Sequence, residues 1–353
     1  MRLLIITRKV DINDDISGFF HRWIEKFSEK FDSLNVICLQ KGEYSLPSNT
    51  KVFFLGKENG KSRIRELYKF YEYIWQLRKD CGAIFVHMNP IYVVLGGFFW
   101  KLRGKKIYLW HNHKNGNLIT RLAILFSNVV FYTSPQSFSA KYKKSRIMPV
   151  GIDTERFRIQ DTRYKTPNTI LYLGRFSPVK NVDVLIEAAN LLDKRGANFT
   201  LNIVGQPGEG EEKHFKKIKD MAEGLEDRRK IRFLGKVANY QTPEIYSQND
   251  IFVNLTQAGS FDKTTLEAMA CQSMVLVSNP VFEGIFPKEL REILMFKERD
   301  AEDLAKKMAY LINLSEDEKE KIGQELREMV VRSHSLDDLA KKLSDTFHES
   351  NQK

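Results

Sequence analysis

The sequence of 353 residues has few cysteines and no long apolar run, and both absences exclude classes of protein. Its three cysteines, Cys38, Cys81 and Cys271, are widely spaced and form no Cys-x-x-Cys pair. A disulfide framework or a structural zinc site is therefore not expected, and a reducing compartment fits the composition. The longest apolar run, Ile91–Trp100, has 10 residues, whereas a helix that spans a bilayer needs about 20. The first residues indicate a strand and not a signal peptide, so we expect neither classical secretion nor membrane insertion.

Acidic side chains are missing from one long stretch of the chain. None lies between Asp80 and Asp153, where ten basic residues occur. Residues 1–150 carry 25 basic and 11 acidic side chains, a net of +14, whereas residues 151–353 carry 31 and 34, a net of -3. At roughly 150 residues per domain, the length predicts two domains. These two domains would differ strongly in charge, which any function has to explain.

Short β-rich segments alternate with helical periodicities along the whole chain. This alternation, with strongly apolar strands, is typical of a parallel sheet covered by helices. The pattern breaks in the polar residues 158–168 and starts again, which predicts two doubly wound, Rossmann-like α/β domains that face each other across a cleft. The predicted strands are Leu3–Thr7, Asn35–Leu39, Val52–Leu55, Ala83–Val86, Ile107–Trp110, Val129–Thr133, Thr169–Leu173, Phe199–Val204, Ile231–Leu234, Ile251–Asn254 and Met274–Ser278. The predicted helices are Gly18–Lys30, Ile64–Leu77, Val182–Leu192, His214–Leu225, Thr265–Cys271, Ala301–Leu314, Asp317–Arg332 and Leu336–Phe347, with one more between Trp110 and Val129.

Two cations follow the first predicted strand of the second half. That strand stops at Gly174, and Arg175 and Lys180 lie in the loop before the next helix. Ligands of doubly wound sheets bind beyond the carboxyl ends of strands, and an Arg fork with a Lys point charge there can bracket a diphosphate. On spacing alone, the alternative that both are solvated loop charges is equally good.

A second candidate site is the run Gly259–Cys271, in which a Gly-led turn opens a helix. The free amides of a helix N-terminus favour a phosphate, and Lys263 adds a cation beside it. Glu267 lies one turn into the helix and is suited to accept hydrogen bonds from the vicinal hydroxyls of a ribose. The alternative is a solvated helix face, but the neighbours of Glu267 are apolar, and a carboxylate among apolar side chains needs a partner.

Together these runs resemble family 4 retaining glycosyltransferases. The resemblance rests on Arg175 and Lys180, on Leu-Glu-Ala-Met-Ala at residues 266–270, and on the run Pro149–Phe157 between the halves. It is tightest over residues 149–280, with support from the runs Leu201–Gly205, Ile231–Val237 and Ile245–Asn254. The resemblance implies the GT-B fold, with an acceptor domain at 1–155, a nucleotide-sugar domain at 165–332, and a last helix at about 333–353 that crosses back to the first domain.

The resemblance also implies roles for single residues. Arg175 and Lys180 would hold the donor diphosphate, and Glu267 would be the second Glu of the family's Glu-x7-Glu motif, which binds the ribose. The first Glu is replaced by Gly259, which departs from the family pattern and leaves the donor sugar open. Asp262 is a candidate for a displaced carboxylate, and Lys263 for a charge beside the diphosphate or an acidic sugar. The other expected donor-binding residues are Gly18, Gly174, Gly205, Val237, Phe261 and Thr265.

Two histidines follow a strand of the first half, at a strand end that we expect to face the cleft. The family has a His near the transferred sugar, and His111 is the better match, with His113 as the competitor. We expect His111, Arg175 and Lys180 to act in catalysis, and His111 and His113 to contact the acceptor. The sequence has no Asp-x-Asp pair, so no metal and no cofactor are expected. The diphosphate would be stabilised by cations and amides, and the resemblance implies retention by front-face attack.

The basic first half is interleaved with the apolar runs Ile91–Trp100 and Leu122–Phe126. This composition favours a protein that lies on anionic lipid at the cytoplasmic membrane face, over the alternative of core helices and a solvated charged face. The expected acceptor is a glycan or a lipid-linked molecule, and a UDP-sugar is favoured over a GDP-sugar as donor. Nucleic acid is not expected, because no helix-turn-helix, zinc-finger or RNP-like motif occurs. A catalytically degenerate nucleotide-sugar or polyanion binder is the alternative function, and a sugar-nucleotide epimerase is a third option that would lack this Arg/Lys loop.

Overall fold

The computed structural model describes residues 1–57, 62–159, 166–257, 259 and 261–352. The chain divides into two compact units, each built on one parallel sheet. Unit 1 comprises Met1–Gly151, Ala238–Tyr240 and Leu336–Lys353, and unit 2 comprises Ile152–Val237 and Gln241–Ser335.

Unit 1 contains a seven-stranded parallel sheet in the order β3-β2-β1-β4-β5-β6-β7. Successive side chains of a strand point to opposite faces of a sheet, and the apolar run of β1 supplies both. Leu3 and Ile5 enter one core and Leu4 and Ile6 the other. The strands of unit 1 are β1 (Arg2–Val10), β2 (Ser33–Lys41), β3 (Thr50–Phe54), β4 (Ala83–His87), β5 (Lys106–Trp110), β6 (Val129–Tyr132) and β7 (Ser145–Ile147). Its helices are α1 (Gly18–Ser28), α2 (Arg63–Gln76), α3 (Pro90–Leu102), α4 (Leu118–Phe126) and α12 (Leu336–Gln352).

Helices cover both faces of the unit 1 sheet, which explains why the central strands β4 and β5 are buried almost throughout, whereas the edge strand β7 is largely exposed. On one face α1 and α12 pack together, and the rings of Trp23, Phe85 and Phe347 lie in the core beneath them. On the other face Phe70 of α2 and Trp100 of α3 close the second core. The apolar run Ile91–Trp100 therefore forms a helix that is partly buried. Among the described residues, no helix combines the length and the apolar character that crossing a bilayer requires.

Unit 2 contains a five-stranded parallel sheet in the order β10-β9-β8-β11-β12. Its strands are β8 (Thr169–Leu173), β9 (Thr200–Val204), β10 (Ile231–Gly235), β11 (Ile251–Asn254) and β12 (Met274–Val277). Its helices are α5 (Val182–Lys194), α6 (Glu212–Asp227), α7 (Thr242–Ser247), α8 (Lys263–Ala270), α9 (Lys288–Leu294), α10 (Ala301–Ile312) and α11 (Glu316–His334).

All predicted strands and helices are present, with ends shifted by up to a few residues. The two sheets confirm the doubly wound α/β class. Four elements were not predicted as elements, namely α3, β7, α7 and α9. The run Ile91–Trp100 in α3 is apolar almost throughout, so no helical period marks it, and the other three have seven residues or fewer, which is too short for a periodic pattern to stand out.

Candidate active site

In unit 2 the strand order reverses between β8 and β11. The chain leaves β8 toward β9 on one side and later returns to add β11 on the other side. In doubly wound sheets, ligands bind in the crevice at the carboxyl ends of the strands where the order reverses. The two predicted loops, which follow β8 and β11, therefore lie together at the expected place.

The loop after β8 is held close to the end of β9 by two glycines. The amide of Gly174 donates to the carbonyl of Val204 at 3.0 Å. Gly205 has a φ of +147, and a Cβ there would lie 1.9 Å from the carbonyl oxygen of Gly174. Only glycine permits this backbone conformation and this approach. The two predicted donor residues Gly174 and Gly205 thus allow the ends of β8 and β9 to lie close together beside the crevice.

Lys180 is tied to the loop after β11 by an ion pair that the sequence did not predict. Its Nζ lies 2.5 Å from Oδ2 of Asp262 and 3.0 Å from Oγ1 of Thr256. The other oxygen of Asp262 accepts from the hydroxyl of Thr264 at 2.7 Å. Despite burial, which opposes it, Lys180 and these hydroxyl donors hold the pKa of Asp262 well below its usual range. The ammonium group is therefore neutralised by a carboxylate at the position where the resemblance implies a diphosphate.

Arg175 differs from Lys180 in its surroundings. The side chain is exposed, and it forms no ion pair with any residue in the described parts of the chain. Its backbone is fixed, because the hydroxyl of Tyr172 donates to the Arg175 carbonyl at 2.9 Å. An exposed guanidinium on a fixed loop is suited to bidentate contact with a phosphate.

Helix α8 begins at this crevice. Asp262 caps its N-terminus, and Lys263 and Glu267 follow one turn apart. Glu267 is buried, and the hydroxyl of Tyr246 donates to its Oε2 at 3.3 Å. Burial raises the pKa of Glu267 and lowers that of Lys263, and each shift is opposed by the charge of the other residue. The carboxyl of Glu267 thus has the partner that a carboxylate among apolar neighbours needs, namely the hydroxyl of Tyr246, with the charge of Lys263 nearby.

The remaining predicted donor residues of unit 2 lie in the loops after β10 and β11 and in α8 itself. The ring of Phe261 packs edge to face on Phe282 at 5.5 Å. Oγ1 of Thr265 is buried and has no hydrogen-bond partner among the described residues. Gly259 stands between residues 258 and 260, which lie outside the described residues, and Val237 follows β10 and is partly buried.

In unit 1, His111 directly follows β5 and is buried. Its Nδ1 lies 3.0 Å from Oγ of Ser139, and that hydroxyl donates to the His111 carbonyl at 3.1 Å. Because the hydroxyl has only one proton to give, Nδ1 must donate to Oγ, which leaves Nε2 as the acceptor. Burial, with a further effect of His113, lowers the pKa of His111 to about 4. The imidazole is therefore neutral near pH 7.

His113 and Gly18 lie at the same carboxyl edge of the unit 1 sheet. His113 is exposed, and its ring centroid is 6.1 Å from that of His111. Gly18 opens α1, and the loop before it is ordered by Asp14, whose Oδ1 accepts from the amide of Ser17 at 2.6 Å. Lys9 pairs with Asp14 at 2.6 Å. The amide of Ser17, directly before Gly18, thus already donates to a carboxylate.

Two residues of the crevice were missed at the level of the sequence. Thr256 bonds both Lys180 and Asp262, and Asn181 adopts a left-handed conformation with φ 48 while its Nδ2 donates to the carbonyl of Leu255. The only signal was an Asn directly before a helix, a residue type that tolerates positive φ. In the part of the chain that the structure describes, no group of three or more His, Cys, Asp or Glu side chains is arranged for a metal.

The model of the family "Glycosyl transferases group 1" matches residues 153–329, half of the chain. The chain belongs to this family. The match covers almost all of unit 2, including both loops of the crevice.

Curated relatives match over part of the chain. Mannosylfructose-phosphate synthase of Agrobacterium fabrum is 28% identical over 165 residues, which are 43% of this chain and 36% of that protein. Alpha-monoglucosyldiacylglycerol synthase of Streptococcus pneumoniae is 25% identical over 178 residues, 46% of this chain and 39% of that protein. The matches therefore span well under half the length of these glycosyltransferase relatives.

Solved structures match the whole chain. Anabaena Alr3699/HepE in complex with UDP has a TM-score of 0.78 at 14% identity, and the match covers 99% of this chain and 100% of that one. Staphylococcus aureus TarM, solved with UDP among its ligands, has a TM-score of 0.73 at 12% identity, covering 98% and 100%. At these identities the likeness shows the fold, which confirms the predicted GT-B class.

Proposed function

We propose that the protein is a retaining glycosyltransferase that moves a sugar from a UDP-sugar to a glycan or lipid-linked acceptor. The observation that carries this proposal is the position of Arg175 and Lys180 at the strand-order reversal of a family-matched unit. We propose uracil as the nucleobase of the donor because the structural neighbour Alr3699/HepE was solved with UDP and with UDP-glucose.

In the proposed reaction the bond between the sugar and the diphosphate breaks as the acceptor oxygen attacks the same face. The proton of the acceptor hydroxyl passes to the leaving diphosphate. Arg175 stabilises the charge that develops on the diphosphate without a metal ion, and Lys180 contributes once its pairing with Asp262 loosens. Glu267 accepts from the ribose hydroxyls, and Nε2 of neutral His111 accepts a hydrogen bond near the transferred sugar.

Replacement of Arg175 tests the proposed leaving-group role. Because preorganised cations stabilise transition-state charge, Arg175→Ala and Lys180→Ala should each lower turnover by on the order of 100-fold. UDP and GDP release from a panel of nucleotide-sugars is the measurement. Arg232→Ala, which removes an exposed arginine from β10, is the matched control and should keep full activity. Near-normal turnover in both test variants would contradict the assignment.

A catalytically degenerate nucleotide-sugar binder is the second candidate function. It is favoured by one observation, that Gly259 stands where the family's first Glu contacts the sugar. The same panel separates the two functions, because a degenerate binder would be protected against heat by UDP but would release no UDP from any donor.

We propose further that unit 1 docks on the anionic cytoplasmic face of a membrane. Helices α2, α3 and α4 expose large apolar side chains, among them Tyr68 at 71%, Phe98 at 67% and Leu125 at 65%. An arginine borders this surface, because the guanidinium of Arg103 lies 5.2 Å from the ring centroid of Trp75 and 4.6 Å from that of Phe99. Exposed apolar surface beside cations is the combination that anionic lipid attracts.

Vesicle pelleting tests this docking. The protein should pellet with phosphatidylserine vesicles and much less with phosphatidylcholine vesicles, and high salt should weaken the binding because it screens exposed charges. Phe98→Glu should weaken the binding by roughly tenfold or more, since it places a carboxylate on the apolar surface. Tyr310→Glu, on an exposed aromatic of unit 2, is the control. Binding that ignored lipid charge would count against the proposal.

A further inference from the structure

Unit 1 contains a cavity of about 810 Å³ at the carboxyl edge of its sheet, and none of the residues that line it was assigned to a site from the sequence. It is lined by the last residues of β2 (Leu39 and Gln40), by the start of α2, and by Asn89, which directly precedes α3. In doubly wound sheets this edge is where ligands bind. The volume is within the roughly 300–1,000 Å³ of small-molecule pockets.

The wall of this cavity is divided by polarity. Leu67, Ile91 and Leu95 contribute apolar surface from facing helices. Arg63 and Lys57 contribute two cations, and Glu66 one carboxylate. Arg63 and Lys57 are exposed and form no ion pair with any residue that the structure describes. A lining with apolar side chains and a net positive charge fits a ligand that has a hydrocarbon part and an anionic part.

The cavity adjoins the apolar surface of α2 and α3. The hydroxyl of Tyr71 on α2 donates to the carbonyl of Leu95 on α3 at 3.1 Å, so the two helices meet beside the cavity wall. Toward the start of α2, Leu67 is 40% exposed one turn away and Ile64 is 83% exposed two turns away, and Leu67 also lines the cavity. The exposed apolar surface of α2 therefore continues into the cavity lining at Leu67, where a hydrocarbon chain can enter.

We infer that this cavity binds the acceptor as an anionic lipid, with one hydrocarbon chain among Leu67, Ile91 and Leu95 and a head-group phosphate beside Arg63. The inference rests on the proposed function, whose acceptor it makes specific. The carboxylate of Glu66 is on the same wall and supplies an acceptor for a head-group hydroxyl. The phosphate end lies at the carboxyl edge of the sheet, the edge that β5 and His111 share.

The test measures binding of dodecyl phosphate by titration calorimetry, below the concentration at which it forms micelles. The wild-type protein should bind one molecule saturably. Dodecyl maltoside, which has the same chain without the charge, and inorganic phosphate, which has the charge without the chain, should each bind at least tenfold more weakly. Equal affinity for either partial ligand, or no saturable binding of dodecyl phosphate, would overturn the inference.

Variants with matched controls locate the site. Leu67→Asp and Arg63→Ala should each weaken dodecyl phosphate binding tenfold or more. Leu234→Asp makes the same change on an exposed leucine of β10 in unit 2, and Arg65→Ala makes the same change on α2 outside the cavity lining. Both controls should bind as the wild type does, and equal weakening in the controls would overturn the placement. All four positions are exposed, so the variants should fold, which the unfolding temperature checks.

Protection of the same proteins by UDP separates this inference from the proposed function. UDP should raise the unfolding temperature of Leu67→Asp and Arg63→Ala as much as that of the wild type, because both residues lie in unit 1. If UDP protects the wild type and dodecyl phosphate does not bind, the lipid cavity is wrong and the donor function stands. If dodecyl phosphate binds and UDP gives no protection, the proposed function fails and the cavity stands.

Discussion

Asp262 forms an ion pair with Lys180, the cation that a bound diphosphate would need. Its two oxygens are engaged by Lys180, Thr256 and Thr264, so a role in binding donor-sugar hydroxyls would require this arrangement to open. The sequence pointed to Asp262 as a charged residue at a helix start. It could not reveal the partner, because Lys180 is 82 positions away and the two meet only through the strand order of the sheet.

Asp262→Asn tests this pairing. An amide still caps α8 but no longer neutralises Lys180, so UDP should bind more tightly, on the order of tenfold or about 1.4 kcal/mol. The free energy of unfolding without ligand should fall by roughly 1–3 kcal/mol, because one partner of a largely buried charge pair is removed. Calorimetry with UDP and urea unfolding measure the two effects. Weaker UDP binding would instead assign Asp262 a direct contact with the donor.

At the scale of elements, periodicity predicted helix α2 but not which apolar stripe it buries. Phe70 and Ile74 point to the core, whereas Ile64, Tyr68 and Trp75 are exposed. Both stripes are apolar, so the sequence pattern alone could not choose between them. The same ambiguity left the run Ile91–Trp100 open between a core helix and a lipid-facing surface, and the structure shows that α3 has both a buried and an exposed side.

Helix α11 packs on α8, the helix whose N-terminus lies at the crevice, and a glycine permits a close approach at the other end of α8. A Cβ on Gly323 would lie 2.4 Å from the carbonyl oxygen of Gln272, a backbone atom directly after α8. Gly323→Ala should therefore lower the free energy of unfolding by roughly 1–3 kcal/mol, as measured by urea unfolding.

Gly224→Ala is the matched control for this prediction. Gly224 lies inside helix α6, and a Cβ there would meet only the end of the Arg228 side chain at 3.7 Å. This substitution should raise stability by roughly 0.5–1 kcal/mol, the usual gain of alanine over glycine in a helix. An equal effect of the two substitutions would show that the contact of α11 with Gln272 does not restrict the packing.

At the scale of the whole molecule, the division of charge follows the division into units. The net +14 of residues 1–150 lies on the unit with the exposed apolar helices, and the crevice of unit 2 lies in the half with net -3. Composition and strand alternation were sufficient to predict two doubly wound units, because the central strands of both sheets are apolar on both faces. The crevice residues were predicted only where a motif named them, since contacts between distant loops leave no local pattern.

The proposed function requires unit 2 to bind a nucleoside diphosphate through Arg175. The unfolding temperatures of the wild type and of Arg175→Ala with UDP, GDP and ADP decide whether it does. At 100 times its dissociation constant a ligand stabilises the folded state by about 2.7 kcal/mol, so UDP should raise the wild-type midpoint by on the order of 5 °C. Arg175→Ala should lose most of this shift. Absence of protection by every nucleoside diphosphate, or equal protection of both proteins, would show that unit 2 does not bind the donor through Arg175.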